Sequence, residues 1–309
     1  MFIRQLNYVV ALAREQHFGR AAAACNVSQP ALSGAIRSIE EELGVVIVQR
    51  GRRFEGFTAD GERVLAWARR VLADCEGLRQ DARAGGNDPV GVLRMGAIPA
   101  ALPLVPRLTQ DCLRRHPRLK HEVYTLSAAE ILRKIADFEL DIGLSYLDDD
   151  RLGAFQTLPV FRERYVLVAA DEAMFEGAAS MSWSEAASLP LCLFTTNMQC
   201  RRGMDAAFAA AGVKAVPQVE TDSMTVLYAH VRQAGLYGIL PHSVLCLAEG
   251  AEQLRWRPMS PQLQRDIGLV VLAQQPHAPV LDAALRSFRD LDLQGWVDGL
   301  LGAAPQPTS

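Results

Sequence analysis

The sequence lacks the patterns of a membrane span, of a secretory signal and of a zinc site, and each absence excludes a class of protein. No apolar stretch reaches the roughly 18 residues that span a bilayer, and residues 1–17 are amphipathic rather than a charged start followed by an apolar run. We therefore expect no membrane association, no secretory signal and a cytoplasmic location. The six cysteines form neither a C-x-x-C pair nor a Cys/His cluster with zinc spacing, which predicts reduced thiols, no metal and no cofactor.

An excess of positive charge is also missing. The formal net charge of the 309 residues is -3, so any contact with nucleic acid must be confined to a local patch. Apolar residues, in contrast, make up 50% of the chain, which is enough to bury a sizeable core. A chain of this length predicts about two domains, or three if one is small.

The first sixty residues show helical patterns separated by turn signals. Apolar residues at helical spacing predict one helix that ends near Gln16 and a second from Phe18 to Cys25. After a short turn, Ser28 is a suitable N-cap for a third helix, which we expect to run to about Leu43 and to stop at Gly44. Two helices that cross around so short a turn predict a helix-turn-helix motif.

The third predicted helix carries polar side chains on its outer face that can contact DNA. Gln29, Ser33 and Arg37 follow one another at i, i+4 spacing; Gln can bind adenine, and Arg can bind guanine or phosphate. An ordinary helical hairpin would also turn a polar face to water. The following stretch VVIVQRGRRFEGFT favours DNA binding, however, because it predicts two short strands with arginines at the tip, Arg50, Arg52 and Arg53, suited to a narrow minor groove.

A long helix is predicted next, from its N-cap Thr58 to about Ala84. Its apolar residues alternate spacings of four and three, as in the seam of a coiled coil. A lone helix cannot bury such a seam, so we expect a second copy of the chain to cover it; the alternative is that the stripe packs on its own domain. The candidate dimerisation residues are Val64, Ala68, Val71, Cys75 and Leu78.

The remaining two thirds alternate apolar strands with amphipathic helices, which predicts two α/β lobes with mainly parallel sheets. The predicted strands are Val92–Gly96, His121–Tyr124, Asp141–Leu144, Tyr165–Ala169, Leu191–Phe194, Gln218–Thr221, Tyr237–Leu240 and Ile267–Leu272. Ligands of such folds bind where parallel strands end. The candidate ligand-binding residues therefore follow these strands: Ala97, Ile98, Pro99, Ala100, Ala101, Ser145, Tyr146, Thr195, Thr196, Asn197, Gln199, Cys200, Arg202, Ser223, Met224 and Thr225.

Several of these stretches together resemble the LysR-type transcriptional regulators. The N-terminal match consists of RQLNYVVALA, HFGRAAAACNVSQPALSGAIRSIEEELG, IVQR and FTADGE, and the C-terminal match includes HPRLKHEV, FELDIGLSYL, LPVFRERYVLVAA, MSWSEAASLPL and GLYGILP. The resemblance implies an α/β protein overall: a mainly α winged helix-turn-helix domain (1–58), a long linker or dimerisation helix (59–86), and a two-lobed α/β effector-binding domain like a periplasmic binding protein (90–303). Lobe I would comprise about 90–162 and 266–303, and lobe II about 163–265.

The resemblance also implies residues, partners and function. DNA contacts would come from Arg4, Ser28, Gln29, Pro30, Ser33, Arg37, Arg50, Arg52 and Arg53. One departure is Gly34, where relatives often carry Arg, Lys or Gln. The implied partners are double-stranded promoter DNA, RNA polymerase, a small-molecule effector and further copies of the chain, as dimers that pair into tetramers.

The sequence thus predicts a DNA-binding regulator, not an enzyme, that is switched by a small molecule bound between the lobes. Arg201 or Arg202 could offer a counter-charge, which suggests an anionic effector. Many relatives place a Ser or Thr near position 100, whereas this chain has Ala100 and Ala101, so that anchor is missing.

Cys200 raises two alternatives, a thiol-based redox-responsive regulator and a cysteine-dependent enzyme. It begins a predicted helix beside two arginines, which is an environment that lowers a thiol pKa. Peroxide-sensing members of the family have a cysteine at the matching place and a second several residues later, where this chain has only Ala207 to Ala211. A catalytic role would also require a base, which no nearby motif supplies. We therefore expect Cys200 to be an inert residue of the ligand site wall.

Overall fold

The computed structural model describes residues 2–50, 54–83, 89–170, 179–248, 254–274 and 276–302. The chain divides into two compact units. The first comprises Met1–Gly91 with two short segments, Ala136–Glu139 and Gln275–Asp282, and the second comprises the rest. No helix in the described part of the chain is long and apolar enough to cross a membrane.

The helices and strands follow one another as the sequence predicts, with several additions. The helices are α1 (Ile3–Glu15), α2 (Phe18–Ala24), α3 (Gln29–Leu43), α4 (Ala59–Arg83), α5 (Val105–Arg115), α6 (Ala128–Ala136), α7 (Trp183–Ala186), α8 (Gln199–Ala210), α9 (Met224–Gln233), α10 (Pro279–Arg289) and α11 (Leu293–Gly302). The strands are β1 (Val48–Arg50), β2 (Phe54–Phe57), β3 (Gly91–Ala97), β4 (Leu119–Thr125), β5 (Ile142–Tyr146), β6 (Phe155–Ala169), β7 (Met181–Ser182), β8 (Leu191–Phe194), β9 (Val219–Thr221), β10 (Tyr237–Pro241), β11 (Arg255–Ser260) and β12 (Gln264–Leu272).

The first unit is built on the helix-turn-helix that the sequence predicts. Helices α1, α2 and α3 bury one apolar face each in a common core, to which Leu12, Ala21 and Leu32 contribute without any exposed surface. The Ser28 hydroxyl accepts a hydrogen bond from the Ala31 amide at 3.3 Å and caps α3. Gly44 ends α3 with a φ of +67°, a left-handed conformation that glycine adopts without strain.

The predicted two-stranded wing follows directly, with Val48 opposite Phe57 and Arg50 opposite Phe54. Its base is tied to α3 by Glu40, whose carboxylate accepts hydrogen bonds from the amides of Ile47 at 2.8 Å and Val48 at 3.2 Å. A Cβ at Gly61 would lie only 2.0 Å from the Ile47 carbonyl oxygen, so only glycine allows α4 to approach the wing this closely.

Helix α4 begins at the predicted cap: the Thr58 hydroxyl accepts a hydrogen bond from the Gly61 amide at 2.9 Å. Its N-terminal half packs against α1, and the predicted seam residue Ala68 is buried there together with Leu65. Val64 packs against the same core. Further along, Val71 and Cys75 are half-buried and Leu78 is exposed. The first part of the seam therefore covers its own domain, as the alternative reading of the stripe expected, and the rest leaves apolar surface open.

The second unit contains a continuous path of paired strands in the order β4-β3-β5-β12-β6-β10-β8-β9. A first strand group, β3 to β5, and a second group, β8 to β10, are each linked to the long strands β6 and β12. Strand β3 pairs parallel with β5, and β8 pairs parallel with both β9 and β10, as predicted. The expectation of mainly parallel sheets is wrong at the centre, because β12 pairs antiparallel with both β5 and β6, and β6 pairs antiparallel with β10 and β11.

Strand β6 has 15 residues, ten more than the predicted Tyr165–Ala169 segment. Its first part pairs with β12 as far as Arg164, and its last part pairs with β10 and β11 from Tyr165 onward. The strand therefore changes partners between Arg164 and Tyr165. This change of partners places residues 163–165 at the junction of the two strand groups.

Candidate nucleic-acid interface and ligand cleft

The outer face of α3 presents the side chains that the sequence singles out for DNA contact. Gln29, Pro30 and Arg37 are exposed and Ser33 is half-buried. Ser28 is exposed too, but its hydroxyl oxygen already accepts the capping hydrogen bond from Ala31. Arg4 is exposed on α1.

Gly34 lies on the same helix with no atom within 4 Å of where a Cβ would stand. The α3 surface is therefore open at this position, and the chain offers no side chain there. Arg52 and Arg53, at the predicted wing tip, lie outside the described residues, as does the side chain of Arg50. The described wing nevertheless has a fixed base, because Glu40 and Thr58 bind the segment that enters it and Phe54 packs edge-on against Phe18 and Phe57.

The predicted ligand-binding residues lie at strand ends in the second unit, and backbone hydrogen bonds bring pairs of these ends together. The Ile98 amide donates to the Leu144 carbonyl at 3.1 Å, joining the ends of β3 and β5. The Thr195 amide donates to the Thr221 carbonyl at 3.0 Å, joining the ends of β8 and β9. Buried members of the set are Ala97, Ile98, Ala100, Ala101, Ser145, Tyr146, Cys200 and Met224; Pro99, Thr195, Gln199 and Ser223 are half-buried, and Thr196, Asn197, Arg202 and Thr225 are exposed.

The two arginines proposed as counter-charges differ sharply. Arg201 is buried, and its guanidinium donates to the Phe194 carbonyl and to the carboxylates of Glu220 and Asp205, at 2.5, 2.6 and 2.8 Å. Its charge is thus already neutralised, and its role in this structure is to hold the start of α8 against β8 and β9. Arg202 is exposed.

Cys200 does not have the reactive environment that the sequence suggested. It is 3% exposed, and burial together with the nearby Glu163 carboxylate raises its pKa to about 12. The neighbouring backbone amides and Arg265 offset only part of this effect. Since the thiolate is the nucleophile, Cys200 is a poor one here.

Sequence reasoning missed three polar residues at the junction of the strand groups, Glu163, Tyr165 and Arg265. Glu163 on β6 lies directly opposite Arg265 on β12, so both side chains are on one face of the sheet. Tyr165 is two residues further along β6 and shares that face. Tyr146, at the end of β5, pairs with Ile267, two residues beyond Arg265, and also shares it.

These residues interact with one another and with Cys200, and we call Tyr146, Glu163, Tyr165, Cys200 and Arg265 the junction cluster. The Arg265 guanidinium lies 3.5 Å from the ring centroid of Tyr146 and forms a two-pronged ion pair with Asp148, at 2.5 and 3.0 Å. The only sequence signal for the cluster was the charged run RER before a buried strand. The position of Arg265 and of the predicted ligand-binding residue Tyr146 beside Glu163 could not be found without the strand register.

A chain with a winged helix-turn-helix, a long helix and a mixed α/β half with polar strand ends belongs to the class of ligand-responsive DNA-binding regulators. Residues 3–62 match the bacterial regulatory helix-turn-helix proteins of the lysR family, and residues 86–292 match the LysR substrate binding domain. The chain therefore belongs to the LysR family of transcription regulators, which are not enzymes, and the resemblance seen in the sequence is confirmed.

Among the family's characterised members, the chain is similar to activators of peroxide-inducible genes. It is 30% identical over 312 residues to the hydrogen peroxide-inducible genes activator of Haemophilus influenzae, covering 97% of this chain and 100% of that protein. It is 29% identical over 279 residues to the dual regulator OxyR of Escherichia coli K12, covering 89% of this chain and 91% of OxyR.

Solved structures show the same fold over nearly the whole chain. A cysteine-to-aspartate variant of full-length OxyR from Pseudomonas aeruginosa has a TM-score of 0.75 and 28% identity, covering 96% of this chain and 97% of that one. The regulator CbnR in complex with its target DNA has a TM-score of 0.64 at 20% identity, covering 94% of this chain and 99% of CbnR, which supports the fold alone.

Proposed function

We propose that this LysR-family regulator binds promoter DNA through α3 and the wing and is switched by a small molecule in the cleft between the two strand groups. The observation that carries the proposal is the exposed outer face of α3, where Gln29, Ser33 and Arg37 project beside a wing anchored by Glu40. The proposed contact set also includes Arg4, Ser28, Pro30 and the wing arginines Arg50, Arg52 and Arg53.

The proposed division of the chain is 1–58 for DNA binding, 59–86 for the linker helix and 90–303 for the effector-binding domain. We further propose that the protein acts in the cytoplasm as a dimer or tetramer, together with RNA polymerase. The exposed Trp67 and Leu78 of α4 support a role for this helix in association, because a partner that covers apolar side chains removes their surface from water. Two copies would also double the phosphate contacts of a chain whose net charge is negative.

DNA binding is tested by retardation of the DNA upstream of the gene at low salt. A matched pair of variants isolates the α3 face. Ser33→Ala removes a predicted contact, whereas Ser38→Ala makes the same change at an exposed position of the same helix outside the contact set. We expect Ser33→Ala to weaken specific binding and Ser38→Ala to leave it unchanged. No retardation by the unaltered protein, or equal effects of the two changes, would contradict the proposal.

Reading of base edges is tested separately with Gln29→Ala. A bidentate contact to one base contributes about 1–3 kcal/mol of discrimination, so this variant should lose preference for operator over random DNA by about 5- to 150-fold. An equal loss of affinity for both DNA molecules would show that Gln29 contacts only the backbone.

A second candidate function, a peroxide-responsive regulator, is favoured by the names of the similar activators and by the position of Cys200 at the start of α8. In that reaction the Cys200 sulfur would attack one peroxide oxygen and break the O–O bond. The thiol would be oxidised to a sulfenic acid, and the peroxide would be reduced to water. The structure disfavours this function because the pKa of Cys200 is raised to about 12. In addition, α8 contains no second cysteine.

Thiol reactivity separates the two functions. At pH 8 a thiol with a pKa of about 12 is ionised to only about one part in ten thousand. We therefore expect iodoacetamide to alkylate Cys200 at least about a thousandfold more slowly in the folded protein than in urea. Rapid alkylation in the folded state, with peroxide-dependent promoter binding that Cys200→Ser abolishes, would establish the second candidate instead.

A further inference from the structure

The junction cluster contains buried polar atoms without a well-formed hydrogen bond. Neither carboxylate oxygen of Glu163 makes a well-formed hydrogen bond, nor do the hydroxyls of Tyr146 and Tyr165, although both hydroxyls lie near enough to the carboxylate to lower its pKa. All three side chains are at most 2% exposed. Buried polar groups are almost always paired, because an unpaired one loses its hydration without compensation. Several such atoms on one face of one sheet therefore point to a missing partner.

The charge that would normally pair with Glu163 is absent although arginines surround it. Arg162 and Arg164 flank it on β6 but, by strand alternation, project from the opposite face, where they pair with Asp266 and Asp298. Arg265 lies directly opposite Glu163, yet its guanidinium is held by Asp148 and by the ring of Tyr146. Each neighbouring arginine is thus committed to an aspartate.

From this geometry we propose that Glu163, Tyr146 and Tyr165 form a subsite for a small organic cation with several N–H donors, of the ammonium, amidinium or guanidinium type. Such a guest supplies both things that the subsite lacks, a positive charge for the carboxylate and hydrogen bonds for its two oxygens. The proposal rests on the proposed function, since it specifies the chemistry of the same cleft. It differs from the anionic effector that the sequence suggested.

The pKa values of the junction cluster support a subsite for a cation. Burial raises the pKa of Glu163 to about 7, and the Tyr165 hydroxyl and the Arg265 charge offset only part of that rise. Tyr146 and Tyr165 stay neutral because burial raises their pKa further above 10, and Cys200 stays a thiol. Arg265 stays charged beside Asp148. Between pH 6 and pH 9, Glu163 is therefore the group of the cluster that gains or loses a proton.

A bound cation must keep Glu163 ionised, so binding displaces the proton of the carboxylic acid into the buffer. With a pKa of about 7, half of the empty sites carry that proton at pH 7. We expect about half a proton released per cation bound at this pH and almost none at pH 9. The apparent affinity should rise about 30-fold from pH 5.5 to pH 8.5, in proportion to the ionised fraction of Glu163.

The test uses three probes of the same shape and different charge: acetamidinium, acetamide and acetate. Binding to the full-length protein is measured by isothermal titration calorimetry in two buffers of different ionisation enthalpy, which reports both affinity and proton release. We expect acetamidinium to bind about 10- to 100-fold more tightly than acetamide, as for a charge-assisted hydrogen bond, and acetate to bind least. Equal binding of acetamidinium and acetate would overturn the proposal.

Variants locate the binding to the cluster. Glu163→Gln keeps the shape of the side chain and should abolish both the preference for the cation and the pH dependence. Asp266→Asn, a control on the exposed side of β12 next to Arg265, should change neither. Asp148→Asn should also weaken acetamidinium binding, because it releases Arg265 to pair with Glu163. Tyr165→Phe, which keeps the carboxylate, should weaken binding several-fold and retain the pH dependence.

Failure of this proposal is separable from failure of the proposed function. A cation preference that survives Glu163→Gln, or a pH dependence that survives it, would show that the cation binds elsewhere and would refute the subsite. Retardation of promoter DNA is measured independently and does not depend on that result. Loss of folding in Glu163→Gln would be seen as a changed circular dichroism spectrum, and Asp148→Asn and Tyr165→Phe would then decide the question.

Discussion

Replacing Glu40 by Ala should loosen the wing from α3. The carboxylate is 7% exposed and accepts the amides of Ile47 and Val48, so its removal leaves two buried N–H groups without this acceptor. A hydrogen bond to a charged group contributes about 1.5–3 kcal/mol, and partial entry of water recovers some of that. We therefore expect local stability to fall by about 3 kcal/mol. Glu40→Gln keeps an acceptor oxygen and should cost about 1 kcal/mol.

Hydrogen exchange measured by mass spectrometry on the peptide around residues 45–49 reports this change directly. A loss of about 3 kcal/mol corresponds to roughly 150-fold faster exchange if these amides exchange through local opening. Glu41→Ala serves as the control, because it makes the same change at the next residue of α3, which is exposed. It should alter exchange by less than about threefold. If the wing contacts DNA backbone and groove as proposed, Glu40→Ala should lower DNA affinity for all sequences rather than for one base sequence.

The reasoning would be refuted if Glu40→Ala and Glu41→Ala gave the same exchange rates at residues 45–49. It would also be refuted if Glu40→Gln were as damaging as Glu40→Ala, since the acceptor oxygen would then not be the feature that matters.

The other predictions concern packing, buried charge and pH. Gly61→Ala should destabilise the first unit by several kcal/mol, because its Cβ would lie 2.0 Å from the Ile47 carbonyl, whereas Gly34→Ala should be neutral or stabilise α3 by up to about 1 kcal/mol; thermal unfolding compares the two. Arg201→Ala should cost about 1–3 kcal/mol by removing a buried guanidinium and its hydrogen bond to the Phe194 carbonyl, and Arg202→Ala should cost less than about 0.5 kcal/mol; an equal loss would refute the structural role of Arg201. Burial lowers the pKa of His242 to about 4 from 6.5, so stability should fall as pH drops from 6.5 towards 4. The pKa of Glu163 is raised to about 7 from 4.5 in the folded protein, so its contribution has the opposite sign: the stability of the protein falls as pH rises from 4.5 towards 7. Urea unfolding from pH 4 to pH 8 should therefore show a steeper loss in acid for Glu163→Gln than for the unaltered chain.

The N-terminal fold could be predicted from sequence because its signals are local. Ser28, Pro30 and Gly44 mark the ends of α3 within a few residues of the atoms they satisfy, and the structure confirms those ends. The centre of the second unit could not be predicted in the same way. The residues of β6 before Tyr165 are mostly polar and do not by themselves predict a strand. They form one because β12, about a hundred residues later in the chain, pairs with them.

The same limit applies to the charges around Cys200. Sequence places Arg201 and Arg202 beside Cys200, which suggests an activated thiol and an anion site. The fold instead turns Arg201 to Glu220 and Asp205 and buries Cys200, so that burial and the Glu163 carboxylate raise the thiol pKa more than Arg265 lowers it. Which of two adjacent arginines is buried depends on the rotation of α8 against β8, and that rotation is a property of packing.

The position of the junction cluster also bears on how a ligand could act on DNA binding. Tyr146 belongs to the first strand group, Cys200 follows β8 of the second group, and Glu163 and Arg265 lie on the strands that connect the groups. A guest held by Glu163 and Tyr146 can therefore distinguish arrangements of the two groups, and only such a difference in affinity can shift their equilibrium. A guest that binds one arrangement 100-fold more tightly shifts it by about 2.7 kcal/mol. If acetamidinium binds with the expected charge preference but leaves promoter retardation unchanged at saturation, its affinity for the two arrangements is equal, and the cluster is then a binding site without a regulatory effect.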